Sequence, residues 1–173
     1  MKPWKKVNER IVYKNYRMVI ERTFLAPNKK KISFEVVDGG IIVCVLALTA
    51  ENKVVLAREF RPGTEEVYDE LPGGFVDKGE NPNDAVKREL LEETGYTGNF
   101  KFITICADAA YVTTKRYCYV ATNCKKVREP KLDEEEFIEV VEKSLPTFRK
   151  QLREGRCTDV EVGYLGLDFL GLL

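Results

Sequence analysis

An α+β or α/β sandwich, with strands before and after one central helix, is the fold class that the sequence predicts. Three observations lead there. The apolar run "IIVCVLAL" (Ile41 to Leu48) has strand length and is followed by a second β-rich stretch. The segment "NPNDAVKRELLEETG" carries both a helix start and a helix stop signal. Two further helical stretches close the chain, each led by a capping residue.

Taken in order, residues 10–26 and 31–37 read as an N-terminal antiparallel ribbon joined by the turn "LAPNKKK". Strands are expected at about 40–49, 53–60 and 66–71. The central helix should run from Pro82 to Thr94. Asn81 suits the cap, Pro82 the first helical position, where a missing N–H costs nothing, and Gly95 the left-handed position past the end. Strands at about 99–107, 116–122 and 137–141 follow. One helix begins after Ser144 and Pro146 and ends at Gly155. Another starts near Asp159, with Leu165, Phe169 and Leu172 expected on its apolar side.

At 173 residues the chain is one domain by size and can bury a sizeable core. Its 28 basic and 28 acidic side chains balance, which removes the basic-surface argument for nucleic acid. No apolar run is long enough to span a membrane, and "MKPWKKVNER" lacks the apolar region of a signal peptide. Five scattered cysteines with no C-x-x-C pair fit a reducing compartment, so a cytoplasmic location is expected.

The acids of the central helix are not evenly spread. Residues 73–96, "GGFVDKGENPNDAVKRELLEETGY", hold six carboxylates. At about 100° per residue, Glu89, Glu92 and Glu93 share one wedge of the helix, and Val86, Leu90 and Thr94 take the next. Like charges at this spacing repel, and the C-terminal end of a helix prefers cations. A cation held among the three reverses the sign of each term. The chain has no His, so a zinc site is not expected. Mg²⁺, with Mn²⁺ as the alternative, suits an all-oxygen ligand set.

Gly74, Glu80, Arg88, Glu89, Leu90, Glu92, Glu93, Gly95 and Tyr96 fill every fixed position of G-x5-E-x7-R-E-U-x-E-E-x-G-U. This stretch resembles the Nudix box. The resemblance implies a mixed sheet between helices with an N-terminal antiparallel β-ribbon in front. It divides the chain into a ribbon, residues 1–38, that dimerises, and a Nudix domain, residues 39–173. It implies Mg²⁺-dependent hydrolysis of a nucleoside diphosphate linked to another group, with two or more ions in each site. Glu89, Glu92 and Glu93 match the metal-binding glutamates, and the carbonyl of Gly73 matches a main-chain ligand. Gly73 and Gly74 also suit a backbone that brings a carbonyl to a metal or turns with positive φ. Glu80 and Arg88 match a pair that ties the loop to the helix.

With no His present, the general base must be a carboxylate. Glu89 and Glu93 are candidates from the box. Glu136, in "LDEEEF", matches a catalytic glutamate that relatives acting on adenosine diphosphoribose carry on a mobile loop. A solvated acidic loop is the plain alternative for that run.

Upstream, "REFRPGTEEVYDELPGG" (Arg58 to Gly74) is similar to the stretch preceding the box in ADP-ribose and other nucleotide-sugar pyrophosphatases. On that match Arg61, and with it Arg58, reaches the substrate phosphates, as the planar fork of Arg suits. Phe34 and Glu35 match a position that stacks and hydrogen-bonds the base, although strand core also accounts for Phe34. In "CADAAYVTTKRY", Asp108 is kept as a substrate contact, while Ala109 and Ala110 replace a Pro-Gly pair. That departure leaves open ADP-ribose, another nucleotide sugar or a smaller ligand. A nucleotide-sensing module without turnover and an enzyme acting on free nucleoside triphosphates are the competing readings. The resemblance further implies a homodimer in which one subunit's ribbon helps wall the other's site. An isolated hairpin is only marginally stable and needs a surface to lie on.

Overall fold

The structure, a computed structural model, describes residues 1–173 and resolves two compact units. The smaller comprises residues 1–41 with 106–116, and the larger residues 42–105 with 117–173. The loop 106–116 therefore packs with the N-terminal strands, although a division of the sequence at residue 38 leaves it with the larger domain.

In the smaller unit, β1 (Lys5–Lys14), β2 (Met18–Leu25) and β3 (Lys31–Asp38) form an antiparallel sheet in the order β1-β2-β3. Of the two or three strands expected in the ribbon, the structure has three, because the stretch 10–26 is divided between β1 and β2. The chain reverses at Asn15–Arg17, where Asn15 N–H donates to the Arg17 carbonyl. No Gly or Pro marks this reversal, so the alternation on either side runs together in the sequence.

The larger unit is built on a mixed, seven-stranded sheet. Its strands are β4 (Ile41–Thr49), β5 (Lys53–Arg61), β6 (Glu66–Glu70), β7 (Gly73–Phe75), β8 (Tyr96–Ala107), β9 (Lys115–Lys126) and β10 (Glu139–Ser144). The order is β10-β5-β4-β9-β8, with β6 paired to β5 and β7 to β4. Three helices complete it: α1 (Pro82–Thr94), α2 (Leu145–Arg153) and α3 (Val160–Phe169). None is long and apolar enough to cross a membrane.

The faces of β4 divide the core. Val43, Val45 and Ala47 point to one side and cluster with Ala85, Val86 and Leu90 of α1 and with Tyr119 and Ala121 of β9. Leu46 points to the other, where Gly166 of α3 comes so close that a Cβ there would lie 2.9 Å from the Leu46 Cβ. Gly163 makes a similar approach to Leu152 and Phe148 of α2. The buried stripe of α3 is accordingly Val162, Gly163, Gly166 and Leu167, while Phe169 is exposed and Leu165 and Leu172 are half-buried. Counting large apolar residues selected the wrong side, because close packing here is made by the two glycines. Helices lie against both faces of the sheet, α1 on one and α3 packed with α2 on the other, giving the α/β/α sandwich expected.

Helix α1 has the limits its sequence signals require. Asn81 accepts from Asn83 N–H at 2.9 Å, Pro82 occupies the first turn, and Gly95 takes φ 76° and donates to the Leu91 carbonyl. The buried face is Ala85, Val86, Leu90 and Thr94. The carboxylates are thereby turned away from the core and toward β7.

Candidate active site

Burial of Val86 and Leu90 fixes the rotation of α1 and presents Glu89 and Glu93 to the strand β7. The N–H of Gly73 donates to Glu93 Oε2 at 3.1 Å. Residue Glu93 keeps some surface, but its carboxylate is enclosed, and burial pushes its pKa well above the usual carboxylate range. The neighbouring charge of Glu89 pushes it further, with smaller contributions from Glu136 and Glu59. Glu89 is also raised, chiefly by burial, against the pull of Arg88.

Gly73 and Gly74 do not adopt positive φ; the positive-φ glycines are Gly40, Gly79, Gly95, Gly155 and Gly171. Their reason is contact. A Cβ on Gly73 would lie 2.2 Å from the Val43 carbonyl oxygen, inside the pairing of β7 with β4. A Cβ on Gly74 would lie 2.5 Å from Glu89 Oε1, so that glycine makes room for the carboxylate itself.

Arg88 organises the loop before the helix. Its Nε and Nη2 donate to the two oxygens of Glu80 at 2.9 and 3.0 Å, and Nη2 also donates to the Phe75 carbonyl at 3.0 Å. Its Nη1 donates to Glu89 Oε1 at 2.9 Å and Glu92 Oε2 at 3.1 Å. Glu80 also accepts from Asp77 N–H, and the Arg88 hydrogen bonds hold its pKa below the usual carboxylate range. This is more than a surface ion pair: one guanidinium spans β7, the loop and three glutamates.

The charge of Glu136, in the loop after β9, bears on both Glu89 and Glu93. Glu136 Oε2 accepts from Asp133 N–H at 3.0 Å, and the loop is closed by a hydrogen bond from Glu136 N–H to the Asp133 carbonyl. Glu134 and Glu135 are exposed.

The two arginines proposed for phosphate part company. Arg61 pairs with Glu59 at 3.1 Å and with the buried Glu70. Arg58 pairs with Asp69 at 2.6 Å and with Glu139 at 3.4 Å. Adjacent residues of β6, Asp69 and Glu70, take one arginine each, as the opposite faces of a strand require. Arg61 has a weak influence on the helix through its partner Glu59, since the charge of Glu59 bears on Glu93. Arg58 instead lines a cleft of about 350 Å³ with Lys143, Lys150, Gln151 and Arg156.

Phe34, Glu35 and Asp108 belong to the smaller unit. Phe34 lies among the rings of Trp4, Phe24 and Tyr111, with centroids 6.1 to 6.5 Å away. Glu35, the next residue on β3, is exposed, and Asp108 accepts from Arg116 at 2.6 Å. Glu59 and Glu70 were missed by sequence reasoning. The signal for Glu59 was its place two residues before Arg61, on the same face of one strand.

The residues suit a hard divalent cation. An enclosed carboxylate flanked by other carboxylates, with a single backbone N–H as its recorded partner, is costly to hold without a counter-charge. All the available side-chain donors there are oxygens, as Mg²⁺-class ions prefer. No three of the acids converge on one point, since Arg88 bridges Glu89 and Glu92.

Comparison with known proteins agrees with this geometry. The NUDIX domain matches residues 40–154. An ADP-ribose pyrophosphatase of Bacillus subtilis is 33% identical over 141 residues, 80% of this chain and 76% of the relative. A methanol dehydrogenase activator of Bacillus methanolicus is 33% identical over 148 residues, 82% of this chain and 80% of the relative. A solved structure titled as an ADP compounds hydrolase superposes with a TM-score of 0.81 over 100% of this chain and 98% of that one. At 21% identity it speaks for the fold. Nudix hydrolases generally need a divalent metal. With the domain matched across its centre and a relative one-third identical over most of its length, the chain belongs to the Nudix family.

Proposed function

We infer that this Nudix protein is a pyrophosphohydrolase that cuts the diphosphate linkage of ADP-ribose or a related nucleotide sugar. The products are a nucleoside monophosphate and a sugar phosphate, and Mg²⁺ is the required ion, two or more per site. The observation that carries this reading is the enclosed Glu93 carboxylate, anchored on Gly73 N–H beside Glu89 and within reach of the charges of Glu136 and Glu59. Bound metal would neutralise charge on the diphosphate and activate a water for attack at phosphorus.

The chain's own residues then have distinct parts. Glu89, Glu92, Glu93 and the Gly73 carbonyl would hold the ions. Arg88 and Glu80 fix the loop that carries Gly73 and Gly74. A carboxylate must take the proton from the attacking water; Glu136, which reaches the box by charge, and Glu89 are the candidates. Arg61 would take the substrate's diphosphate. Phe34 and Glu35 would take the base, and Asp108, in a loop closed by the short Ala109–Val112 turn, would border the terminal sugar.

The likeness to an ADP-ribose pyrophosphatase supports the substrate class. The likeness to a methanol dehydrogenase activator favours a second reading, in which the site serves a partner protein. The full set of box glutamates supports turnover in either case. The chain would work in the cytoplasm as a homodimer built on residues 1–38. Incubation with Mg²⁺ and a panel of ADP-ribose, ADP-sugars, GDP-mannose, NADH and deoxynucleoside triphosphates tests the proposal. Release of AMP from ADP-ribose or an ADP-sugar is expected, and turnover of the triphosphates alone would overturn it.

A further inference from the structure

Glu70 is a charged side chain withdrawn almost wholly from solvent, with 1% of its surface exposed, and the reaction as described does not use it. Its Oε2 accepts from Arg61 Nε at 2.6 Å and is also paired with Arg61 Nη2. Its Oε1 is buried without any hydrogen-bond partner. Both features are unfavourable for folding. A buried ion pair returns little more than its desolvation costs, and an unsatisfied buried oxygen adds a penalty. The arrangement is therefore better explained by what it holds in place than by what it adds to stability.

What it holds is Arg61. The arginine side chain is 43% exposed, and its Nε/Nη2 edge is engaged by Glu70. An unheld Arg has many rotamers, and ordering it on binding costs free energy that a prearranged partner removes beforehand. The position of Glu70 in the chain matters as much as its charge. Three residues later, Gly73 N–H anchors Glu93, and between them the Pro72 carbonyl accepts from Val45 N–H at 3.0 Å. The four-residue segment Glu70–Gly73 is thus pinned to Arg61 at one end, to the helix carboxylate at the other and to the central strand in the middle.

We propose that Glu70 is a positioning residue, which orients the half-exposed Arg61 guanidinium, whose Nη1 also pairs with Glu59, toward the substrate diphosphate and fixes its distance from the Glu93 carboxylate through the segment Glu70–Gly73. This rests on the reading of Arg61 as the diphosphate's partner. Glu70 itself touches no reacting atom. Nothing in the box motif marks it, since it lies outside the 23-residue pattern.

The test is a double-mutant cycle read by steady-state kinetics on ADP-ribose, or on whichever nucleotide sugar the panel identifies. Glu70→Gln keeps the shape and removes the charge. Glu70→Met also removes the buried charge and its desolvation cost, and should fold even if the Gln variant does not. Each is expected to raise KM about tenfold, with kcat changed by less than about threefold, as loss of a prearranged charged contact does. In an Arg61→Ala background neither should raise KM further. A normal KM in Arg61→Ala alone would overturn the reading of Arg61, and the proposal with it. A raised KM in Arg61→Ala, with Glu70 variants that leave KM unchanged or multiply their effect onto the Arg61 variant, would overturn the positioning role while leaving Arg61 in place.

Discussion

The N–H of Gly73 and the Oε2 of Glu93, twenty residues apart in sequence, lie 3.1 Å apart and join β7 to the last turn of α1. The bond orients a carboxylate that burial and the charge of Glu89 both disfavour in its ionised form. Glu93→Gln keeps the shape and an acceptor for Gly73 but loses the charge. It is expected to lower kcat by about 100-fold or more, the scale of an important electrostatic contact in a site. A variant retaining more than about one-fifth of wild-type kcat would exclude Glu93 from the ion's ligands.

Chelation gives an independent check. Glu89, Glu92 and Glu93 repel one another and Arg88 pairs with only the first two, so activity should vanish in excess EDTA and return with Mg²⁺. Undiminished turnover in EDTA would end the metal-dependent mechanism.

The two glycines should fail differently when given a methyl group. Gly73→Ala drives a Cβ into the Val43 backbone oxygen and is expected to destabilise the fold by about 1–3 kcal/mol, measured by urea unfolding. Gly74→Ala meets only the far end of the Glu89 side chain, which can move. Its stability should be nearly unchanged while kcat falls about tenfold or more through a displaced Glu89. Equal effects on stability would contradict the contact geometry.

Asp69 supplies a pH signature away from the box. Burial works to raise its pKa, but Arg58 and Lys143 outweigh burial and hold it below the usual carboxylate range. A depressed folded-state pKa stabilises the fold above the unfolded value, about 3.9, and that contribution is lost as pH falls through the folded value. Asp69→Asn should therefore cost about 1–3 kcal/mol at neutral pH, with the gap to wild type closing below about pH 4. Denaturant titrations across that range check it; a gap that widens in acid would reverse the assignment.

Strand β1 is exposed along all ten residues, with Ile11 56% and Tyr13 55% accessible, on the edge of a three-stranded sheet. An unpaired edge with Ile11, Val12 and Tyr13 exposed near its end invites a second copy. Light scattering should give a dimer for the intact chain, and Ile11→Lys with Tyr13→Lys should shift it to monomer. A monomeric wild type would dispose of the dimer.

Much of the fold could be read from local signals. Asn81, Pro82 and Gly95 bound α1 because capping and left-handed backbone are properties of a few adjacent residues. The wedge of Glu89, Glu92 and Glu93 follows from helical periodicity alone. The inner face of α3 could not be read in this way, because Gly163 and Gly166 bury themselves by close approach to Leu152 and Leu46, and a glycine carries no hydrophobic signal. The reversal at Asn15–Arg17 was marked only by Asn15, with no Gly or Pro to separate the two strands.

For the site the division falls between helix and sheet. The sequence by itself determined the box: which carboxylates share a face, that oxygen ligands are available, and that no His can act as base. Only the tertiary structure decided which carboxylate each upstream arginine pairs with. Arg58 and Arg61 look alike in "REFRP", but strand alternation sends one to Asp69 and the other to Glu70, and the partners come from β6, across a ladder that no local pattern registers. Glu70 has the same origin. Its buried, half-satisfied carboxylate acquires meaning only when β5 and β6 pair, because the cost of burying a charge is set by neighbours distant in the chain.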